Sequence, residues 1–461
     1  MSRFDLSELK EHAHIHFIGI GGISMSGLAQ IMLGAEYTVT GSDKSSGSMC
    51  EKLEKMGAKI YIGHDEKNIE GADLIVHTAA VHEDNPEMKA AKRLGIKNID
   101  RAEFLGAVMK RYKHAVGVAG THGKTTTTSM LAHALMFADA DPTISVGGEL
   151  DLIGGNVRVG KSDIFVTEAC EYTNSFLKFY PTVALITNIE EDHLDFFSGL
   201  EEIKESFKKF AELTGTDGLV IACGDDENVR NTLKDSKLNI LYYGMSEISD
   251  YYPRNIKYTN GCPEFEIYFR GEYLCKLKLK VPGEHNIKNA IASIAVVRAL
   301  NIDIETAAKG IETYVGVHRR FEKKGVYGGA VIMDDYAHHP TEIKTTLEAA
   351  GRLKKNRLIC VFQPHTYSRT RTLWKEFTEA FDKADELILL DIYAAREVYD
   401  GETRSSDLAE EIKKRGVDAK YIESFEKACE YLKKDIKQGD IVFTMGAGDV
   451  YKVGDMLLSG K

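Results

Sequence analysis

Residues 115–126, AVGVAGTHGKTT, constrain the fold more than any other stretch of the chain. Small and β-branched residues through Ala119 predict a buried strand, and Met130, Leu131, Ala134 and Leu135 recur at helical spacing across 127–138. Between strand and helix stands Gly120-Thr121-His122-Gly123-Lys124-Thr125-Thr126. Strand, glycine-rich loop and helix in that order predict a phosphate-binding loop. The glycines let backbone N–H groups crowd around phosphate oxygens, and the helix N-terminus favours negative charge. Lys124 then reaches the terminal phosphates and Thr125 ligates Mg²⁺. The strict pattern G-x-x-x-x-G-K-[ST] is not met, because Val118 occupies its first glycine, with Gly117 and Gly120 on either side.

A chain of 461 residues predicts about three domains, and the punctuation of the sequence places them at 1–112, 113–317 and 318–461. In the first, the buried-strand candidate His14-Ile15-His16-Phe17-Ile18 runs into Gly19-Ile20-Gly21-Gly22-Ile23-Ser24, with a helix expected around 28–33. The turn approximates a dinucleotide fingerprint, G-x-G-x-x-G, with Ser24 at the last glycine. A second strand, 37–40, ends at Ser42-Asp43, where that fingerprint carries its ribose-binding acid. A diphosphate on Gly21 and Gly22 and a ribose or base near Ser42 and Asp43 are expected, from either NAD or a nucleotide sugar. Further strands at 59–62 and 73–77 continue the alternating α/β pattern. The basic segment 110–114 reads as a linker.

In the second domain, strands 164–168 and 183–188 end in Glu168 and in the polar cluster Glu190-Glu191-Asp192-His193-Leu194-Asp195. Ligands of open parallel sheets lie beyond the carboxyl ends of strands, so both should converge on Lys124. Glu168 is the expected Mg²⁺ ligand, directly or through water, and His193, between two acids, the expected holder of a second metal. Short strands over 237–282 suggest an antiparallel edge. Asn286 and Asn289 open the next helix, where they either read an adenine edge or cap the helix. The third domain alternates again: strands at 331–335, 358–362, 387–391 and 441–444, helices at 340–353 and 372–384. Its strands lead into four polar loops, 334–340, 363–369, 391–397 and 445–449, which together look like a site.

Composition mainly excludes. A formal net charge of -11 argues against a general nucleic-acid or anionic-membrane role, so a phosphate ligand must be held by local cations. Seven scattered cysteines without a C-x-x-C pair fit a reducing cytoplasm rather than a disulfide framework or a zinc knuckle. Acidic residues interrupt the N-terminus and no run of 18 apolar residues occurs, so neither signal peptide nor membrane span is expected.

Taken together, residues 120–126, Glu168, Thr187-Asn188-Ile189 with Asp192-His193, residues 285–289, His318-Arg319-Arg320-Phe321-Glu322 and Asp335-Tyr336-Ala337-His338-His339-Pro340 resemble the Mur ligases, the ATP-dependent amide ligases of peptidoglycan precursor synthesis. The resemblance covers essentially the whole chain. It implies a three-domain α/β fold: a Rossmann-like N-terminal domain for the UDP moiety, a central P-loop ATPase-like domain with a parallel or mixed sheet, and a C-terminal Rossmann-like domain that closes over ATP and binds the amino acid. The Gly-Ile-Gly-Gly turn, the Asp-Asp-Tyr-Ala-His-His-Pro segment and Phe-Gln-Pro-His point to the branch whose substrates are UDP-N-acetylmuramate and L-alanine. By the same resemblance ATP and two Mg²⁺ ions are the cofactors, and Lys124, Glu168, His193 and His338 the catalytic group. Asn286 and Asn289 match the adenine side, Arg320 and Asp335 the nucleotide at the domain junction, and Tyr336 with His338 the place where substrate and amino acid meet. The chain departs from the family at Ser24, where many relatives carry Gly, and at Thr366, where many carry Arg; Arg369 is then the nearby cation. A same-fold ligase with another acceptor, such as murein tripeptide, stays compatible with these residues. An NAD oxidoreductase or a non-catalytic nucleotide-binding regulator leaves Lys124, Thr125 and Glu168 without a task.

Overall fold

The computed structural model describes residues 4–459 except Ala79, Asp195 and Arg396, so Met1 to Arg3, Asp195 of the acidic cluster and Arg396 of the loop 391–397 lie outside the described residues. The chain folds into two compact units. One lies within Met1–Glu190, Leu200–Tyr251 and Ala292–Gly310, the other within Glu191–Gly199, Tyr252–Ile291 and Ile311–Lys461.

The first unit holds two sheets. Strands β1 (His14–Ile18), β2 (Thr38–Asp43), β3 (Lys59–Ile62), β4 (Leu74–His77) and β5 (Lys97–Asp100) pair in parallel in the order β3-β2-β1-β4-β5. The order reverses at β1, and in such sheets the crevice for a ligand opens at the carboxyl ends of the two strands flanking the reversal, here β1 and β4. β1 is buried from Ile15 to Ile18, as expected of a strand covered on both faces. The following helix, Ile23–Gly34, begins five residues before its expected start, because Gly22 adopts an extended N-cap conformation (ψ 142°) and nothing after it breaks the helix. β2 runs on through Ser42 and Asp43 rather than ending before them.

The other sheet of this unit comprises β6 (His114–Ala119), β7 (Thr143–Leu150), β8 (Gly155–Arg158), β9 (Ile164–Glu168), β10 (Val183–Ile186), β11 (Leu219–Cys223) and β12 (Ile240–Tyr243), ordered β12-β11-β10-β6-β9-β7-β8. All neighbours are parallel except β7 and β8. His114, expected in a linker, opens β6, its N–H donating to the Asp163 carbonyl at 2.9 Å. The two sheets meet closely. Gly27 has no Cβ, and one placed there would stand 2.3 Å from Val157 Cγ2; the Asn156 amide donates to the Ile23 carbonyl at 2.9 Å.

In the second unit, β13 (Tyr251–Thr259), β14 (Cys262–Phe269) and β15 (Glu272–Lys278) follow one another, with β14 and β15 antiparallel. A six-stranded sheet of β16 (Glu322–Tyr327), β17 (Ala330–Asp335), β18 (Leu358–Phe362), β19 (Glu386–Leu389), β20 (Asp418–Tyr421) and β21 (Ile441–Met445) is ordered β16-β17-β21-β18-β19-β20, parallel apart from β16. Leu347, Phe362, Phe377 and Phe443 fill one face, and Val361, Ile388, Leu432 and Leu457 the other. Because β17, β21, β18 and β19 are adjacent and parallel, the four polar loops leave one edge of one sheet. The helix expected over 372–384 is instead two short ones, Tyr367–Thr372 and Trp374–Thr378, divided at Leu373 (φ −100°, ψ 28°). Phe377, Ala380 and Phe381 are buried nonetheless, so the apolar spacing there reported burial, not an unbroken helix.

Candidate active site

The glycine turn after β1 is shaped by the end of β2. The N–H groups of Gly19 and Ile20 both donate to the Ser42 carbonyl, at 2.8 and 3.1 Å, and Gly21 N–H donates to Asp43 Oδ2 at 2.9 Å. Gly19 sits at φ +82°, and a Cβ there would lie 2.8 Å from Thr78 Cγ2 at the end of β4, so only glycine allows the crevice to close this tightly. Gly21, Gly22 and Asp43 are thus brought together as expected. The Ser42 side chain is not with them. It turns inward and donates to Glu87 Oε2 at 2.6 Å, because a fully buried carboxylate must be satisfied by donors. Glu87 also accepts from the Asn68 amide at 2.6 Å and meets His64 Nδ1 at 3.0 Å. Sequence reasoning missed Glu87: an acid in a helix's first turn reads as a partner of the helix dipole, and nothing local tells that it is buried.

The phosphate loop is clamped by residues following β10. Thr121 N–H donates to the Asn188 carbonyl at 3.1 Å, His122 N–H to Asn188 Oδ1 at 2.8 Å, and Thr187 Oγ1 to the His122 carbonyl at 2.6 Å. Gly120 (φ +141°) and Gly123 (φ +83°) are the turning points; a Cβ on Gly120 would fall 1.9 Å from Thr187 Oγ1. Lys124, Thr125 and Thr126 open the helix Lys124–Phe137. The Lys124 ammonium donates to the Thr121 carbonyl at 3.1 Å and to the Gly120 carbonyl, and pairs with Glu171 Oε2 at 3.0 Å and Oε1 at 3.2 Å. Burial works against its charge, but Glu171, with Cys170 and Glu168 beyond it, more than offsets this and holds Lys124 above the usual lysine range. Glu171, three residues past Glu168, is a second carboxylate that the sequence analysis did not single out.

Thr125 Oγ1 donates to Glu168 Oε2 at 3.1 Å, while Glu168 Oε1 accepts from the Gly147 N–H. The hydroxyl proton therefore points to the carboxylate, which leaves the lone pairs of Thr125 Oγ1 for a hard cation. Hydroxyl and carboxylate oxygens side by side fit Mg²⁺.

In the second unit Asp192 accepts from Arg369 Nη2 at 2.8 Å and from the His193 N–H at 2.7 Å. Burial raises its pKa, but Arg369, His193 and His338 outweigh that and hold the carboxyl far below its ordinary value. His193 itself has φ +54°, in the left-handed region. His338 Nδ1 lies 3.0 Å from the Tyr336 carbonyl, which assigns it the proton and leaves Nε2 as acceptor. Burial brings His338 down to about 4, so the ring is neutral at pH 7. Arg320 lies over the Tyr336 ring at 5.2 Å and 3.6 Å from Glu342. Asp335, buried, accepts from Ala337 N–H at 2.8 Å, Phe321 N–H at 3.1 Å and Thr346 Oγ1 at 3.1 Å, and burial pushes its pKa up to about 6. Asn286 donates to the Pro282 carbonyl at 2.7 Å and accepts from the Asn289 amide at 3.2 Å, a bond across the first turns of the helix Glu284–Ala299. Arg319, quoted in the sequence only as part of a motif and given no role there, joins two polar loops: it donates to the Gly446 and Gly448 carbonyls at 2.7 and 3.0 Å and pairs with Asp334 at 3.2 Å.

Comparison with known proteins gives this geometry a family. Residues 14–113 match the domain described as "Mur ligase family, catalytic domain", residues 118–297 the "Mur ligase middle domain" and residues 319–448 the "Mur ligase, glutamate ligase domain". A UDP-N-acetylmuramate--L-alanine ligase of Caldanaerobacter subterraneus subsp. tengcongensis is 54% identical over 98% of both chains, and one of Acetivibrio thermocellus is 52% identical over 100% of this chain and 99% of its own. Among solved structures, the UDP-N-acetylmuramate-alanine ligase of Thermotoga maritima superposes with a TM-score of 0.79 at 30% identity, covering 97% of this chain and 99% of its own. With three domain matches that together span most of the chain and a relative 54% identical over 98% of both chains, the chain belongs to the Mur ligase family.

Proposed function

We propose that the chain joins L-alanine to the carboxylate of UDP-N-acetylmuramate at the expense of ATP, releasing ADP, phosphate and UDP-N-acetylmuramoyl-L-alanine for peptidoglycan precursor synthesis in the cytoplasm. The observation that carries this reading is the 54% identity, over 98% of both chains, to a relative bearing the name of that activity. No helix among the described residues is long and apolar enough to cross a membrane, which is compatible with soluble substrates. Residues 1–112 receive the UDP moiety, 113–317 the ATP, and 318–461 close over the nucleotide and bind the amino acid.

A carboxylate is a poor acylating agent, so one of its oxygens first takes the γ-phosphoryl group, giving an acyl phosphate and ADP. The amine nitrogen of L-alanine then attacks the acyl carbon, and phosphate leaves from the tetrahedral intermediate as the amine loses a proton. Lys124 exchanges Glu171 for the triphosphate and stabilises charge on the transferring group. Thr125 and Glu168 would hold Mg²⁺, with His193 beside a second ion; bound there, the ions would supply charge neutralisation for the phosphate oxygens. Asn286 and Asn289 read the adenine edge, Arg320 and Asp335 lie by the nucleotide, and Tyr336 and Arg369 seat the amino acid. Neutral His338 offers Nε2 to an N–H of the incoming amine.

The test is phosphate release from ATP with UDP-N-acetylmuramate and each amino acid in turn, with murein tripeptide as a further arm. Release that depends on both the UDP-sugar and L-alanine is expected. Release that needs neither, or that responds only to the tripeptide, would contradict the reading.

A further inference from the structure

Arg101 opens the helix Arg101–Met109 directly after β5. Its Nη1 donates to Ser24 Oγ at 2.9 Å, and among the described residues this neutral hydroxyl is its one hydrogen-bonding partner. Ser24 stands in the first turn of the helix that the glycine turn begins. The carboxylate adjoining Arg101 in sequence, Asp100, is already engaged: it accepts from the N–H groups of Ala102 and Glu103 at 2.9 and 3.0 Å and pairs with Lys178. Burial draws Arg101 below the usual arginine range, and the countervailing effects of Cys170 and Asp100 do not restore it. A half-buried guanidinium whose hydrogen bond goes to a neutral hydroxyl, beside a carboxylate already engaged by other donors, keeps donors and charge for a further acceptor. Cys170, which adjoins the Glu171 that pairs with Lys124, acts electrostatically on Arg101, and both belong to the same compact unit as the glycine turn.

We propose that Arg101, with Ser24, binds an anionic group of the UDP-sugar acid as it lies on the glycine turn. The inference rests on the function proposed above and adds a substrate-binding residue to it. The departure from glycine at Ser24 then has a physical sense: the hydroxyl orients the guanidinium. Two groups of the substrate carry the required charge, the diphosphate and the sugar acid's carboxylate, and they can be told apart by ligand choice.

The experiment is calorimetric titration of wild-type protein, Arg101→Ala, Arg101→Lys and Ser24→Ala with UDP-N-acetylmuramate, UDP-N-acetylglucosamine and ATP. Removing a charge-assisted bidentate donor predicts a loss of about tenfold or more in affinity for UDP-N-acetylmuramate in Arg101→Ala, with ATP affinity unchanged. If the diphosphate is the partner, UDP-N-acetylglucosamine loses the same factor; if the carboxylate is, that ligand is unaffected. Should Arg101→Ala fail to fold, Arg101→Lys keeps the charge and decides the matter with an expected loss of about threefold, since the planar fork is gone. Undiminished UDP-N-acetylmuramate affinity in folded Arg101→Ala or Arg101→Lys, beside wild-type protein that binds it, would overturn the role of Arg101 alone. Wild-type protein that binds no UDP-sugar would overturn the proposed function as well.

Discussion

At the scale of single residues, charge at this site is controlled by partners that lie close in space. Lys124 is held by Glu171 while the loop carbonyls take its remaining donors, and under the proposed function a triphosphate takes the place of that carboxylate. Lys124→Ala should lower kcat by about 100- to 1000-fold, the range typical of losing one preorganised charge-stabilising group, and leave UDP-N-acetylmuramate affinity within about twofold by calorimetry. Loss of both would contradict separate seats for the two ligands. Glu168→Gln keeps the shape and removes the charge beside Thr125; the Mg²⁺ concentration for half-maximal rate should rise at least about tenfold, and an unchanged Mg²⁺ titration would remove Glu168 from the metal site. Asp335 gives a pH signature. Its folded pKa, about 6, stands above the ordinary aspartate value of 3.8, so the folded state holds the proton more tightly than the unfolded chain. Its contribution is therefore full below pH 3.8 and is lost as pH rises through about 6, about 3 kcal/mol in all. Asp335→Asn should flatten that part of the profile of melting temperature against pH; an identical slope in the variant would show that another group titrates.

At the scale of elements, strand ends are organised by buried acceptors that tie several connections together. Glu87 joins the start of the helix Pro86–Leu94 to Ser42 at the end of β2 and to Asn68 and His64 after β3, and the same Ser42 carries the glycine turn on its carbonyl. Glu87→Gln puts an amide donor among donors. It should raise KM for UDP-N-acetylmuramate about tenfold while KM for ATP stays put; a fall in kcat alone with both KM values unchanged would deny the link to the turn. This network also marks what could be read in advance. β10 and β18 are continuous apolar runs, and β1, β6, β9 and β21 are mostly apolar and β-branched stretches between glycines or polar clusters; such stretches declare themselves. β5, with the sequence Lys-Asn-Ile-Asp, and β16, with two lysines and a glycine, are strands only because their neighbours pair with them. Glu171, Glu87 and Arg101 escaped notice for the same reason, and Arg319 was given no role of its own: each acts through partners distant in sequence, whereas Lys124, Thr125 and Glu168 sit at positions fixed by the local sequence of strand, loop and helix. Ser42 and Asp43 differ for a reason local sequence does not display at once: a strand's alternation sends adjacent side chains to opposite faces, so the Asp43 side chain meets the turn and the Ser42 side chain meets Glu87.

At the scale of the whole molecule, a chain with net charge -11 has no overall attraction for two polyanions and a carboxylate, so the proposed function requires cations placed one by one, Lys124 among them. The glycine turn and the phosphate loop belong to one compact unit, fastened where Gly27 admits Val157 and where Asn156 reaches the Ile23 carbonyl. That shared frame suits a reaction in which a phosphoryl group leaves a nucleotide on one sheet for a sugar acid on the other. The most direct test follows the oxygen that the reaction must move. With UDP-N-acetylmuramate labelled by ¹⁸O in its carboxylate, ATP and L-alanine, mass spectrometry of the products should find one labelled oxygen in each inorganic phosphate released. Amide product formed with phosphate free of label would mean that the carboxylate is never phosphorylated, and the account would fail at its centre.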